Sequence, residues 1–164
     1  MSDLRRAALF AVVALCALST AAAAATTRLM ITGAFDTSSD RVVSHEEACG
    51  HRSDGRLIYS SDAMRIGSRP PVARVEFFIR RYRGLGRYKA TAPAPYGRTA
   101  VQIVTGRNAT TGVASGFYVA TVGTISVTQA KSGSLSGTVH AKLRLQRGSA
   151  RVRLDGSWHC RVGG

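Results

Sequence analysis

Acidic residues are scarce in this chain of 164 residues, which has 9 Asp and Glu against 23 Lys and Arg and a net charge of +14. No separated pair of carboxylates falls on predicted strand ends, so the sequence does not support a glycosidase-type site, which needs two of them. Proline is also rare, with four residues. Apolar residues make up 45% of the chain, so we expect one packed domain rather than disorder.

A helical period is absent as well. No segment shows sustained apolar residues at helical spacing, and no window after residue 25 reaches the ~20 apolar residues that span a bilayer. Short β-rich runs separated by Gly, Ser, Asn or Asp predict an all-β, single-domain antiparallel β-sandwich or barrel of about eight strands. The predicted strands are Arg28–Phe35, Arg56–Ser60, Ala73–Tyr82, Thr99–Thr105, Gly116–Val122, Thr124–Gln129, Leu135–Gln146 and Ala150–Arg161.

The first 25 residues have the pattern of a secretory signal peptide. Arg5 and Arg6 give a positive start, an apolar stretch follows from Ala7 to Leu18, and the run of alanines at 21–25 offers a cleavage zone. We therefore predict residues 1–25 to be a signal peptide and residues 26–164 to be a secreted β domain. An uncleaved anchor is the alternative, and the predicted localisation is secreted or cell envelope.

Two cysteines, Cys49 and Cys160, lie in the predicted secreted part. Because oxidising compartments form and keep disulfides, we predict one bond between them, which would tie an early segment to the last strand. Two free thiols or a metal pair are the alternatives. Between these cysteines, Gly84-Leu85-Gly86 is predicted to be a turn, and one helical turn is predicted around Ser44–Ala48.

The clearest pattern lies in the C-terminal third, where apolar and polar residues alternate on both sides of Arg147-Gly148-Ser149. A period of two places each set on one face of a strand. Cys160 and Trp158 fall on the apolar face. A further turn at Lys131–Ser134 predicts that the strands from Thr124 onward form a meander.

Several segments together resemble a known group of proteins. They are Tyr82–Tyr88 (YRGLGRY), Gly123–Val127 (GTISV), Leu135–Val139 (LSGTV) and Gly156–Cys160 (GSWHC). This combination resembles small exported β-proteins of actinobacteria, including the mycobacterial lipoprotein-antigen (LpqH-like) family. The resemblance implies a surface or secreted role and no catalytic residue. The chain departs from that family at Cys16, since Leu15 is too large for the position before a lipid-attached cysteine.

Cationic residues form two groups that are predicted to bind anionic polymers or surfaces. The first group falls within ten residues, interleaved with Tyr82 and Tyr88, and the second lies on the outward face of the last predicted hairpin. Like charges opposite one another are mildly destabilising, so an anionic partner would relieve them. The two groups are Arg80, Arg81, Arg83, Arg87 and Lys89, and Lys142, Arg144, Arg151 and Arg153.

The predicted partner is an anionic envelope polymer or a membrane surface, and such binding would weaken with salt. Teichoic-type polymers, acidic polysaccharide, anionic lipid headgroups and released DNA are the candidates. A solvated face that only keeps the protein soluble is the alternative. We expect no sequence-specific nucleic-acid recognition, because no reading helix or RNP-like motif is present. The oligomeric state is left open.

The segment 45–51 (HEEACGH) invites a metal interpretation but does not match H-E-x-x-H. If Cys49 pairs with Cys160, His45, His51 and His159 could meet and bind Zn or Cu. A disulfide with solvated neighbours is the preferred interpretation, so we predict no metal and no cofactor. There is also no G-x-S-x-G motif, and we expect no catalytic residue and no enzyme.

Aromatic residues leave one alternative function open. They would form the core or line a pocket for a small apolar ligand inside a barrel. The leading prediction is a non-catalytic secreted or envelope-associated protein with a cationic face, and the alternative is such a carrier. The aromatic residues are Phe77, Phe78, Tyr82, Phe117, Tyr118 and Trp158.

Overall fold

The computed structural model describes residues 26–43, 47–67, 72–91, 98–107, 114–131 and 133–162. These residues form eleven strands, which confirms the predicted all-β fold. The strands are β1 (Arg28–Gly33), β2 (Thr37–Ser38), β3 (Ala48–His51), β4 (Leu57–Ser60), β5 (Met64–Arg65), β6 (Val72–Ile79), β7 (Gly86–Thr91), β8 (Ala100–Arg107), β9 (Ala114–Lys131), β10 (Ser134–Leu145) and β11 (Arg151–Arg161).

The described strands belong to one antiparallel sheet rather than to the two packed sheets of a sandwich. Its order is β2-β1-β11-β10-β9-β8-β6-β4-β3, with β5 beside β6 and β7 beside β9. The sheet curls into a half-barrel, so that β3 returns to the far end of β11. An isolated parallel bridge between Cys49 and Val162 joins them there. We call the gap between β1 and β3 the seam.

The C-terminal meander is confirmed, because β9, β10 and β11 are consecutive neighbours in the sheet. The predicted break within its first strand is wrong: β9 runs unbroken for 18 residues through Gly123. Gly123 serves close packing here, since an added Cβ would lie 2.9 Å from the Cβ of Ala141. At this point β9 exchanges its neighbour β8 for β7.

Four strands were not predicted from the sequence, namely β2, β3, β5 and β7. Three of them have four residues or fewer, which is too short for an alternating pattern. The predicted helical turn around Ser44–Ala48 is wrong at Ala48, which begins β3, and residues 44–46 lie outside the described part. A single 3-10 turn forms earlier, at Ser39–Arg41.

The inward face of the half-barrel is filled by aromatic rings. Tyr59 stacks on Phe77 at 4.4 Å between centroids, and Trp158 lies 5.0 Å from Phe77 and 5.5 Å from Tyr59. All three side chains are almost completely buried. Tyr118 is also buried and meets Phe35 edge to face. These rings are therefore core residues, whereas Phe78, Tyr82 and Phe117 are only half-buried.

The ring of Trp158 needs a glycine on the neighbouring strand. An added Cβ at Gly137 would lie 1.7 Å from the carbonyl oxygen of Ser126 and 3.0 Å from the Trp158 ring. Gly137 sits at a register shift between β9 and β10, where the backbones approach closely. Among the described residues there is no helix with the length and apolarity needed to cross a bilayer.

Candidate functional site

Seven of the exposed cations lie at outward positions on four strands of one side of the sheet, β1, β7, β10 and β11, and β9 lies between β7 and β10. We call this surface the cationic face. Asp155 is the one acidic residue at the outward positions of these strands. The cations are Arg28, Arg87, Lys89, Lys142, Arg144, Arg151 and Arg153.

The last hairpin carries four of these cations in two facing pairs, as predicted from the alternation. Lys142 lies opposite Arg153, and Arg144 lies opposite Arg151. Within the described residues, no carboxylate comes within ion-pair distance of Lys142, Arg144 or Arg151. The repulsion between Arg144 and Arg151 is therefore not compensated by a carboxylate of the described residues.

The same four side chains line a groove with a volume of about 540 Å³, together with Thr32 and Thr121. A volume of this size lies within the range of ligand-binding clefts, roughly 300–1,000 Å³. Thr121 is held in place by donating a hydrogen bond from its hydroxyl to the carbonyl oxygen of Lys142 at 3.0 Å. Arginine forks in such a groove would bind oxyanions through paired hydrogen bonds.

Asp155 moderates the charge at the centre of the face. Its carboxylate accepts hydrogen bonds from Arg153 and lies 2.9 Å from Nδ1 of His140. Partial burial opposes ionisation of Asp155, but the hydrogen bonds from Arg153 and His140 outweigh it and lower the pKa of the carboxyl. Asp155 thus stays ionised and partly neutralises Arg153.

The first predicted cationic group is divided by the fold. Arg87 and Lys89 lie on β7, on the same face as the hairpin cations, because they pair with Ser126 and Thr124 of β9. Arg80, Arg81 and Arg83 lie instead in the turn after β6, where all three are exposed.

The tyrosines of this segment stabilise the turn rather than facing solvent with the cations. The hydroxyl of Tyr88 donates to the carbonyl oxygen of Gly84 at 2.7 Å and accepts from the amide of Arg83 at 3.1 Å. The rings of Tyr82 and Tyr88 lie 6.0 Å apart. The predicted turn at Gly84–Gly86 is therefore correct, and β7 begins at Gly86.

Two cations near the predicted groups, one on the cationic face and one beside it, were missed from the sequence. Arg28 reaches the cationic face through its pairing with Ser157, and Arg98 lies in a shallow depression with Arg80, Arg81 and Lys89. Each stands apart from other cations in the sequence. Only the pairing of distant strands brings them to the site, so local clustering could not find them.

The seam holds a second, different pocket of about 290 Å³, lined by Glu47, Asp62 and His159 among others. Glu47 accepts hydrogen bonds from the hydroxyls of Tyr59, at 2.8 Å, and Thr27. Burial and the neighbouring charge of Glu47 raise the pKa of Tyr59, so its hydroxyl stays protonated and donates. Glu47 thus acts here as a structural acceptor.

The structure places the predicted disulfide between Cys49 and Cys160, which are 111 residues apart. His51 lies against the ring of Tyr82, 5.1 Å between centroids, while His159 lines the seam pocket. His45 is outside the described residues. In the described ranges no three His, Cys, Asp or Glu residues come together as metal ligands, and the histidine trio remains an untested hypothesis.

Comparisons with known proteins give no relative: no family model, no curated protein and no solved structure matches this chain.

Proposed function

We propose that this protein is a non-catalytic, secreted or envelope-associated protein that binds anionic polymers or surfaces through its cationic face. The observation that carries the proposal is the concentration of seven exposed cations, with one acid, on one side of the sheet. Such a surface raises the encounter rate with polyanions and releases their counterions on binding.

Two features support export. The pattern of residues 1–25 is that of a signal peptide, although these residues lie outside the described part of the chain. The disulfide between Cys49 and Cys160 suits an oxidising compartment.

The carrier alternative receives no support from the described interior. Tyr59, Phe77 and Trp158 fill the inward face against one another, where a small apolar ligand would have to lie. The groove over the last hairpin is lined by four cations, together with Leu143 and Val152. The arrangement therefore favours an anionic partner over an apolar ligand.

The proposal is tested by retention of the purified chain on a polyanion column and on anionic vesicles across a salt series. We expect retention that falls steeply as salt rises, with a slope that reports several released counterions. Elution at low salt from every anionic matrix would refute the proposal.

A pair of charge-reversed variants locates the binding surface. Arg144→Glu with Arg151→Glu should abolish retention, because both side chains line the groove. Arg41→Glu with Arg52→Glu changes the net charge equally at exposed positions away from the cationic face and should leave most of the retention. Equal losses in the two variants would show that only net charge matters.

A further inference from the structure

A second depression lined by cations lies beside the groove. It has a volume of about 370 Å³ and is lined by Arg80, Arg81, Lys89 and Arg98 with Thr91 and Thr99. The amide of Arg80 donates to the hydroxyl of Thr99 at 3.1 Å, which fixes the segment before β8 against the turn after β6. In the described ranges, no carboxylate lies within ion-pair distance of its four cations.

Backbone strain marks the same depression. Arg81 has φ of 52°, and it is the one residue other than glycine with positive φ among those described. A left-handed conformation costs an ordinary residue roughly 1–2 kcal/mol. Strain of this kind is concentrated at binding sites, and here it holds a guanidinium group at the edge of the depression.

Strand register shows that the two depressions are close neighbours. Thr91 in the depression pairs with Val122 of β9, and Val122 pairs with Lys142 in the groove. Two strand spacings of about 4.8 Å therefore separate the lining residues of the two sites. Only Val122, with 57% of its surface exposed, stands between them along this row.

The outward surface between the sites suits a chain without bases. From Val119 to Ser126 on β9, and at the outward positions of β7, β10 and β11, there is no Phe, Tyr or Trp. Proteins that bind single-stranded nucleic acid stack bases on such aromatic residues. Threonine and serine hydroxyls with arginine forks fit repeated oxyanions instead.

We propose that one linear, base-free polyanion lies across β7, β9 and β10, with anionic groups in both depressions and its backbone over Val122. This inference rests on the proposed function and specifies its ligand and path. Linking the two sites through one ligand makes the second contact intramolecular, so a spanning chain gains affinity that short anions lack.

The test compares the binding of tripolyphosphate and of long-chain inorganic polyphosphate to the full chain by titration calorimetry at one salt concentration. We expect two tripolyphosphate ions per protein, and a long chain that binds about 100-fold more tightly than tripolyphosphate. A sulfated glycan and single-stranded DNA of matched charge serve as further arms. If the glycan binds as tightly as long-chain polyphosphate, the site recognises repeated oxyanions of either source. If the DNA binds more tightly than polyphosphate, the proposal of a base-free ligand is overturned.

Two pairs of variants distinguish binding along the proposed path from general electrostatic attraction to the protein. Arg80→Gln with Arg98→Gln should remove one tripolyphosphate site and most of the affinity gain for the long chain, while Arg41→Gln with Arg52→Gln should change neither. Val122→Glu should weaken long-chain binding at least about tenfold more than Val43→Glu, the same change at another exposed valine. Circular dichroism should show that every variant keeps its β structure.

The outcomes distinguish this inference from the proposed function. If the unmodified chain binds none of the polyanions at low salt, the proposed function fails, and the inference fails with it. If the long chain binds but the depression and Val122 variants behave like their controls, the path is wrong while the cationic face stands.

Discussion

Outward positions on β6 and β10 differ in exposure, although both strands are central in the same sheet. The outward residues of β6, from Val72 to Phe78, are all half-buried, whereas His140, Lys142 and Arg144 on β10 are exposed. On the β6 side, Glu76 accepts a hydrogen bond from Gln102 at 2.6 Å.

This contrast bears on the meaning of the net charge. Charge that served only solubility would gain nothing from being concentrated on one part of the sheet. Here seven of the exposed cations lie on β1, β7, β10 and β11, while the one cation of β6 is the half-buried Arg74. An uneven distribution with an uncompensated facing pair, Arg144 and Arg151, is typical of a surface that binds an anionic partner.

The largest expected effect is a loss of stability when the disulfide between β3 and β11 is removed. Cys49→Ser with Cys160→Ser removes the disulfide and leaves the isolated bridge to hold β3 against β11. For a loop of 111 residues, the chain-entropy model gives a loss of about 4–5 kcal/mol in the free energy of unfolding. Urea denaturation measures this loss.

Reductant provides the control for that variant. It should destabilise the unmodified chain by a similar amount and leave the double variant unchanged. Non-reducing mass spectrometry should show the unmodified chain two hydrogens lighter than the reduced chain. A double variant as stable as the unmodified chain would contradict the role given to this bond.

The next largest effect is a loss of stability in the meander. Gly137→Ala places a methyl group against the Ser126 carbonyl and the Trp158 ring, and we expect a loss of about 2–3 kcal/mol. Gly50→Ala, in β3 on the other side of the seam, meets no atom within 4 Å and should change stability by about 0.5 kcal/mol or less. Thermal unfolding of both variants checks the difference, and similar values would contradict the close approach at Gly137.

The part of the fold that the sequence predicts best is the meander. The alternation of Val139, Ala141 and Leu143 with exposed cations gave the faces, and the turn residues after Leu145 gave the register of Arg144 against Arg151. Local period and turn chemistry are enough when strands are long and consecutive. They also placed the Cys160 and Trp158 side chains together on the buried face.

The seam and two cations, Arg28 and Arg98, could not be predicted in this way. Strand β3 has four residues, and its place is fixed by a bond to a residue 111 positions away. Arg98 lies near Arg81 because β8 pairs with β6, and near Lys89 because β8 and β7 both pair with β9. Contacts between distant, short segments leave no periodic signal in the sequence.

A smaller effect is expected at the strained residue of the depression. Arg81→Gly should be more stable than Arg81→Ala by about 1 kcal/mol, because glycine adopts positive φ without the steric cost of a Cβ. Both variants lose the same guanidinium group and should lose equal affinity for long-chain polyphosphate. Denaturant midpoints and binding titrations test the two statements separately. An alanine variant as stable as the glycine variant would argue against strain at this position.

The smallest effect is on affinity for polyphosphate, and it compares an acid beside β10 with an acid on β6. Asp155→Asn removes the acid from the cationic face, and we expect affinity for polyphosphate to rise about two- to threefold. Glu76→Gln makes the same charge change beside β8, away from that face, and should alter affinity less. Equal gains in both variants would mean that the polymer senses only the net charge of the protein.

The difference in stability between the unmodified chain and Asp155→Asn should depend on pH, in a direction set by the pKa of Asp155. Because the folded state lowers the pKa of this carboxyl below its usual 3.8, the ionised group stabilises the fold above that value. This contribution is lost as pH falls through the lowered pKa. The unmodified chain should therefore be more stable than Asp155→Asn at neutral pH, and the two should converge below pH 3.8. A difference in unfolding midpoint that stays constant between neutral pH and pH 3 would show that the hydrogen bonds to Arg153 and His140 do not depend on the charge of Asp155.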